Sequence, residues 1–433
     1  MSKVKIEIEE KVLGYRNTYE KIVSHIKKNP DTTVKAAMTR MSNIFDQNEY
    51  VYSTLSGGKD SGLVTYMCMS IILMRRDVLS GKMSIEEYNE ILGTQSTVDL
   101  MKRNLRTGLM TMDPEMVYSY TAEFYERTYK TLCGKYEIGD LSWVDKENKE
   151  NNPGCYSYEE IKAMSTEEIQ ELITGYGEEP LMDGYWMTFP IAWENMTSLK
   201  EARYWSYDPE KKDVWTRPLP EGNYVWNLEN FTEFPLRYNL PPMVDDTVIP
   251  GLTDQELRVK FSKWIKTTAY KGKRCAVLVA IRAAESFDRY TILKQGDYTT
   301  GYYGSQFGVS TYSPVIDMTN EDVYRFYSVF DLPINKAYDK MYDAGIPLAK
   351  MRIGSLFNSH AGSSASWLAS LDPGTHAKVL TRVDGANFNN AYGGRVASSK
   401  HISIPQHKPF NEGYPTRAQE LAIELLNIPY KQI

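Results

Sequence analysis

The stretch "YVYSTLSGGKDSGLVTYMC", Tyr50 to Cys68, joins a run of aromatic and β-branched residues to an apolar helical one through Ser56-Gly57-Gly58-Lys59-Asp60-Ser61. Two consecutive glycines remove the side chains that would block a tight turn. Backbone N–H groups can then converge on an anion, and the following helix adds its N-terminal partial positive charge. Ser56 and Ser61 bring hydroxyl donors and Lys59 a point charge. Asp60 is at odds with a phosphate unless it holds Mg²⁺ or caps the helix. A Walker loop would require glycine where Ser53 stands, so this is a different phosphate loop.

A strand–turn–helix of this kind implies an α/β fold, and the rest of the chain agrees. Val34, Met38, Met41 and Phe45 recur at helical spacing after Thr33, and Tyr19, Ile22, Val23 and Ile26 mark an earlier helix. "GLMTM" before Asp113 reads as a second strand, and a helix rich in Tyr and Phe follows through Tyr129. Ser84 with Glu87, and Thr253 with Glu256, have capping-box spacing. The continuous apolar run "AVLVAIR" is typical of a strand covered on both faces. Alternating strands and helices predict a doubly wound, mainly parallel sheet. The expected division is a helical extension over 1–31 and an α/β domain over 32–353. A Trp-rich insertion over 134–250 interrupts that domain, and a C-terminal extension covers 354–433.

With 42% hydrophobic and 24% charged residues, the composition is that of a globular protein, and its net charge of −6 argues against indiscriminate nucleic-acid binding. "GLVTYMCMSIILM" is too short to span a bilayer and ends at Arg75 and Arg76, and "MSKVKIEIEEKV" contains no apolar signal segment. Cys68, Cys133, Cys155 and Cys275 are scattered without a C-x-x-C pair, which disfavours zinc, iron–sulfur and disulfide frameworks. A cytoplasmic location is expected.

"SGGKDS" after a strand resembles the PP-loop of the ATP pyrophosphatases and phosphoadenosine-phosphosulfate (PAPS) reductases. "AIRAAESFDR", Ala280 to Arg289, resembles that family's Gly-Ile-Arg-x-x-Glu-Ser-x-x-Arg stretch, with alanine in place of glycine. "SPVIDMTNEDVYRFYSVFDLPINKAYDKMYDAGIP" resembles its P-hydrophobic-x-D-W segment and the LP-x-N-x-x-Y that follows, with Met318 in place of tryptophan. "KMRIGSLF" and "KVLTRVDGANFNNAYGG" resemble a PAPS-reductase-like co-activator subgroup found beside ParB-like proteins.

The resemblance implies an adenine nucleotide alpha-hydrolase-like, Rossmann-like fold binding ATP with Mg²⁺. It places Ser56, Gly57, Gly58, Lys59, Asp60, Ser61, Asp113, Arg282, Glu285 and Ser286 at the nucleotide, with Asp60 as the metal ligand. Lys59, Asp60, Arg282 and Arg289 are the candidate catalytic residues, and Asp317, Asp322 and Arg352 the candidate substrate contacts. Read from spacing alone, Arg289 could equally pair with Glu285 one turn away, and Asp322 could cap a helix.

No cysteine follows Cys275, so the reductase's C-terminal catalytic thiol has no counterpart. The expected activity is cleavage of ATP between the α and β phosphates to adenylylate an acceptor. The alternatives are a nucleotide-sensing co-activator acting with a ParB-like partner, and a nucleic-acid modification enzyme. Between Arg258 and Arg274 lie seven basic residues and no acid. There Lys260, Lys263 and Lys266 form either a solvated helix face or a contact to a phosphate backbone.

Overall fold

The computed structural model describes residues 14–29, 32–104, 106–134, 180–195, 198, 203–231, 252–295, 300–357, 362–383 and 385–386. β1 (Tyr50–Thr54) runs through the middle of a seven-stranded sheet. On one side lie β2 (Thr107–Met112), β3 (Met182–Met187) and the short β6 (Val225–Trp226). On the other lie β8 (Cys275–Leu278), β10 (Val309–Tyr312) and β9 (Tyr302–Gln306). All neighbours pair in parallel except β9, which returns antiparallel to β10 through a hairpin. A three-stranded sheet of β5 (Arg203–Trp205), β4 (Ile191–Glu194) and β7 (Leu252–Thr253) lies beside it. The architecture is α/β with a mainly parallel sheet.

Both faces of the large sheet are covered, and alternate residues of one strand go to different cores. Val51 packs with Leu63, Met67 and Ile71 of α3 (Lys59–Leu79). The same core takes in α1 (Gly14–Lys28), α2 (Thr33–Gln47), α4 (Ile85–Leu92), α6 (Ser119–Cys133) and α9 (Asn320–Phe330). Short α5 (Val98–Arg103) leads into β2. Tyr50 and Tyr52 face the other way, toward Leu257 and Phe261 of α7 (Asp254–Trp264). α3 is buried nearly all round, which is why its sequence is apolar without a helical stripe. Gly93 closes α4 at φ +65°, and Thr253 with Glu256 forms the capping box that opens α7. No helix among the described residues is long and apolar enough to cross a membrane.

One boundary differs from the sequence expectation. Residues 182–187 and 225–226, read as part of a Trp-rich insertion, are strands of the main sheet. "MDGYWM" lacks an apolar run because Asp183 serves a polar cluster. Its carboxylate accepts from Tyr50 Oη at 3.2 Å and Tyr270 Oη at 3.0 Å, and pairs with Arg106 at 2.5 Å. Trp186 is wholly buried against Tyr129, with ring centroids 5.2 Å apart.

After α10 (Ala337–Asp343), the C-terminal helices α11 (Gly362–Leu371) and α12 (Pro373–Arg382) join the fold through charge as well as apolar contact. Arg382 donates twice to the Glu115 carboxylate, Nε to Oε1 and Nη2 to Oε2, both at 3.0 Å, with neither side chain more than 1% exposed. The same carboxylate accepts backbone N–H bonds from Tyr207 at 2.7 Å and Thr216 at 3.0 Å. Arg382→Met leaves that carboxylate buried without its counter-charge, and the expected cost is about 3–5 kcal/mol. Denaturant unfolding checks this; a loss below about 1 kcal/mol, the scale of an exposed pair, would contradict it.

Candidate functional site

The loop lies where β1 meets α3, at the carboxyl end of the central strand. The strand order diverges here, toward β2 on one side and β8 on the other, and such switch points open a crevice above the sheet. Leu55 N–H is the last to follow the sheet, donating to Met110 O at 2.8 Å. The chain then turns at Gly57, φ +75°, where a Cβ would come within 2.5 Å of Thr121 Cγ2. Both the dihedral and the space demand glycine. Gly58 is the N-cap of α3 and supplies no side-chain cap; the first helical bond runs from Gly62 N–H to Gly58 O at 3.0 Å. The first-turn N–H groups are thereby left to an acceptor other than an N-cap side chain.

Three side chains outside the loop bind its backbone. Asn335 Nδ2 donates to Gly57 O and to Thr121 Oγ1, each at 2.9 Å. Tyr327 Oη donates to Lys59 O at 2.6 Å, and Lys59 N–H donates to Tyr338 Oη at 3.0 Å. Inside the loop, Ser61 Oγ donates to Gly58 O at 3.0 Å and accepts from Ser56 N–H at 3.1 Å, with Ser56 Oγ also 3.1 Å away. Sequence reasoning gave no role to Tyr327, Asn335, Tyr338 or Thr121. Asn335 and Tyr338 were visible in the LP-x-N-x-x-Y segment, whereas nothing in the sequence marked Thr121.

Asp60 joins two buried cations. Lys59 Nζ lies 3.2 Å from Asp60 Oδ2 and Arg282 Nε lies 2.7 Å from Oδ1, with the Lys59 side chain 5% and Arg282 1% exposed. Burial pulls the Lys59 ammonium below its ordinary range; Asp60 opposes this, and Arg282 and Arg352 add to it. Arg282 is held on its far side by Met318 O at 3.2 Å and Asn320 Oδ1 at 2.7 Å. The short 3₁₀ turn after β8 brings Glu285 beside it, Oε2 accepting from Arg282 N–H at 3.3 Å. Lys59, Asp60, Arg282 and Glu285, predicted from separate motifs, thus come together.

The other predicted residues divide. Arg289 pairs with Glu285 one turn along α8 (Phe287–Gln295), yet it also lines the cleft described below. Ser286 Oγ accepts from Arg289 N–H at 3.2 Å on the surface. Arg352 is exposed, within electrostatic reach of Lys59. Asp322 caps α9, its carboxylate accepting from Thr319 N–H at 2.8 Å, so the capping reading describes its position. Asp317 pairs with Arg40.

Asp113 departs most from expectation. Fully buried, it accepts from Glu115 N–H at 2.8 Å, Trp186 Nε1 at 2.7 Å, Tyr207 Oη at 3.2 Å and Arg217. The protein's own donors fill a carboxylate that the resemblance placed at the nucleotide, because β3 and the segment after it close over the end of β2. The basic run is also broken up. α7 ends at Trp264 and passes into a π-turn over Ile265–Ala269, which shifts the helical register. Lys263 is exposed and Lys260 half-buried, while Lys266 donates to Lys273 O with its stem over Gly308.

Beside the loop lies a cleft of about 620 Å³, lined at the strand ends by Thr54, Leu55, Ser56, Met112 and Val279. Tyr125 and Trp193 add aromatic surface. Gly354 and Ser355 bring in the chain after the α/β core, and Arg258 and Arg289 supply charge. Burial pushes the thiols of Cys68 to about 12 and Cys275 to about 11 and raises Cys133 well above the ordinary thiol range, so none of these three is a thiolate near neutrality. Cys155 lies outside the described residues.

Residues 345–416, which include this cleft-lining segment, match a domain of unknown function, DUF3440. Over 272 residues the chain is 24% identical to the uncharacterized protein YbdN of Escherichia coli (strain K12). That match covers 60% of this chain and 58% of the relative's length. No solved structure matches.

Gly57→Ala forces a Cβ into the left-handed region and against Thr121. The expected cost is at least about 1–2 kcal/mol of stability. Thermal unfolding should reveal it, and an unchanged midpoint would mean that the turn does not need glycine.

Proposed function

We propose that this chain is an ATP-dependent PP-loop enzyme of the adenine nucleotide alpha-hydrolase-like, Rossmann-like type. It cleaves ATP between the α and β phosphates and transfers the adenylyl group to an acceptor. The observation that carries the reading is the glycine turn at the switch point, with Lys59 and Arg282 buried beside it, both paired with Asp60, and Arg282 also 3.8 Å from Glu285. Lys59, Arg282 and Arg289 against Asp60 and Glu285 leave an excess of one positive charge beside a helix N-terminus, a setting for a polyphosphate. The adjoining cleft is large enough for a nucleoside and lined for one, with aromatic and aliphatic walls.

In this reading an acceptor oxygen or nitrogen attacks the α-phosphorus. The bond to the bridging oxygen breaks, pyrophosphate leaves with that oxygen, and the acceptor's proton passes to solvent. Lys59 and Arg282 balance the charge developing on the departing pyrophosphate, so the protein needs no nucleophile of its own. Among the described residues no cluster of three acidic, histidine or cysteine side chains offers a metal cage. Asp60 therefore fits Mg²⁺ only as an ion carried in chiefly by phosphate oxygens.

With ATP labelled at the α-phosphate, label should appear in AMP or an adenylylated product, with equimolar pyrophosphate. Label in ADP alone would overturn the reading, and nucleotide binding without turnover would favour the sensing co-activator. Arg282→Lys loses the planar fork that reaches Asp60, Met318 and Asn320 together, and turnover should fall about a hundredfold in a folded protein. Replacing all four cysteines with alanine should leave the nucleotide products unchanged. If one such substitution abolished turnover without unfolding the protein, thiol chemistry would have to be reinstated.

A further inference from the structure

Two tyrosine rings flank the Lys59 ammonium at nearly equal distance, Tyr324 at 5.8 Å and Tyr338 at 5.7 Å from Nζ, but their hydroxyls serve different ends. Tyr324 Oη points at Met351 Sδ, 3.6 Å away. Tyr338 Oη accepts the Lys59 N–H and stands 3.6 Å from the point where a Cβ on Gly58 would lie; Ser56 Oγ is 3.4 Å and the Ile353 carbonyl oxygen 3.9 Å from that same point. Two hydroxyls thus converge over the glycine whose missing side chain opens the loop.

A phenol that accepts one hydrogen bond keeps its own O–H to give. Among the described residues the Tyr338 hydroxyl proton has no acceptor, although the side chain is only 3% exposed. Burial raises this phenol's pKa, so the proton stays in place near neutrality. A buried donor without an acceptor is uncommon, and one beside an anion loop fits an oxygen-rich ligand that the protein does not itself supply.

We propose that Tyr338 is a direct ligand of the bound polyphosphate. Its hydroxyl takes up the Lys59 N–H and passes a hydrogen bond outward to a phosphate oxygen seated over Gly58, alongside Ser56 and Lys59. The inference rests on the polyphosphate reading of the loop and assigns that site a residue from outside it.

Calorimetric titration with inorganic pyrophosphate tests it on the full chain, comparing the parent, Tyr338→Phe and Tyr324→Phe. Loss of a hydrogen bond to a charged oxygen should weaken binding about tenfold in Tyr338→Phe. Tyr324→Phe should bind as the parent does. A purely structural phenol would instead lower the unliganded melting midpoint and leave the affinity unchanged. Affinity unchanged or increased in Tyr338→Phe, while the parent binds, overturns this proposal alone. No binding by the parent overturns the polyphosphate reading and this inference with it. If Tyr338→Phe fails to fold, 3-fluorotyrosine in place of Tyr338 keeps the shape and sharpens the O–H donor; tighter pyrophosphate binding supports the proposal, and unchanged affinity overturns it.

Discussion

Two carboxylates at the end of β2, Asp113 and Glu115, hold together parts of the chain that are far apart in sequence. Both are fully buried, and each is tolerable only because arginine and several further donors surround it. Asp113 takes the indole of β3 and the Tyr207 phenol, and Glu115 takes the backbone at Tyr207 and Thr216 and the guanidinium of α12. Glu115 reaches this position through a left-handed backbone, φ +64°, its N–H held by the Asp113 carboxylate. The C-terminal segment must dock for these charges to be matched. The region around these two carboxylates also carries Tyr204, whose hydroxyl lies 3.4 Å from Ser355 Oγ at the cleft wall.

The loop's own order comes from a second set of contacts. A strained turn of two glycines has little to fix it from within, since glycine leaves the unfolded chain with the most freedom to lose. Asn335, Tyr327 and Tyr338, carried by α9 and the segment after it, bond Gly57 O, Lys59 O and Lys59 N–H. These are neighbouring main-chain groups of the turn, so its shape is set before any ligand arrives. Preorganised donors of this kind need little reorganisation when charge appears beside them.

Sequence periodicity revealed the strands and helices where a local pattern was strong. β1, β2, α6, α7 and β8 fall where alternation, continuous apolar runs and capping residues placed them. β3 escaped because its exposed-looking residues, Asp183 and Gly184, serve contacts that only the fold creates. A Cβ at Gly184 would lie 2.3 Å from Tyr224 Cβ and 2.9 Å from Cys133 Cβ. At the site, Gly57, Lys59, Asp60 and Arg282 were legible because each belongs to a short motif with its own chemical meaning. Asp113 was misjudged, since a carboxylate after a strand looks the same in sequence whether it faces a ligand or four internal donors. The basic run was misjudged as a single face because a π-turn inside it cannot be read from spacing.

The balance of charge at the loop limits what the site can hold. Lys59 and Arg282 are both nearly excluded from water; Asp60 pairs with both, and Glu285 is shared between Arg282 and Arg289. The Lys59 ammonium is held below its ordinary range mainly by burial, so part of the cost of keeping it charged remains uncompensated. An anion entering over Gly58 would relieve that cost, whereas a neutral ligand would not. Glu285, paired with Arg289 and bonded to the Arg282 backbone, also lies 3.8 Å from the Arg282 guanidinium. Arg258 and Arg289, at the cleft and more than 40% exposed, are paired with Asp254 and Glu285 and remain screened by solvent. The electrostatic demand is therefore concentrated at the loop, while the cleft beside it offers shape and a largely apolar lining.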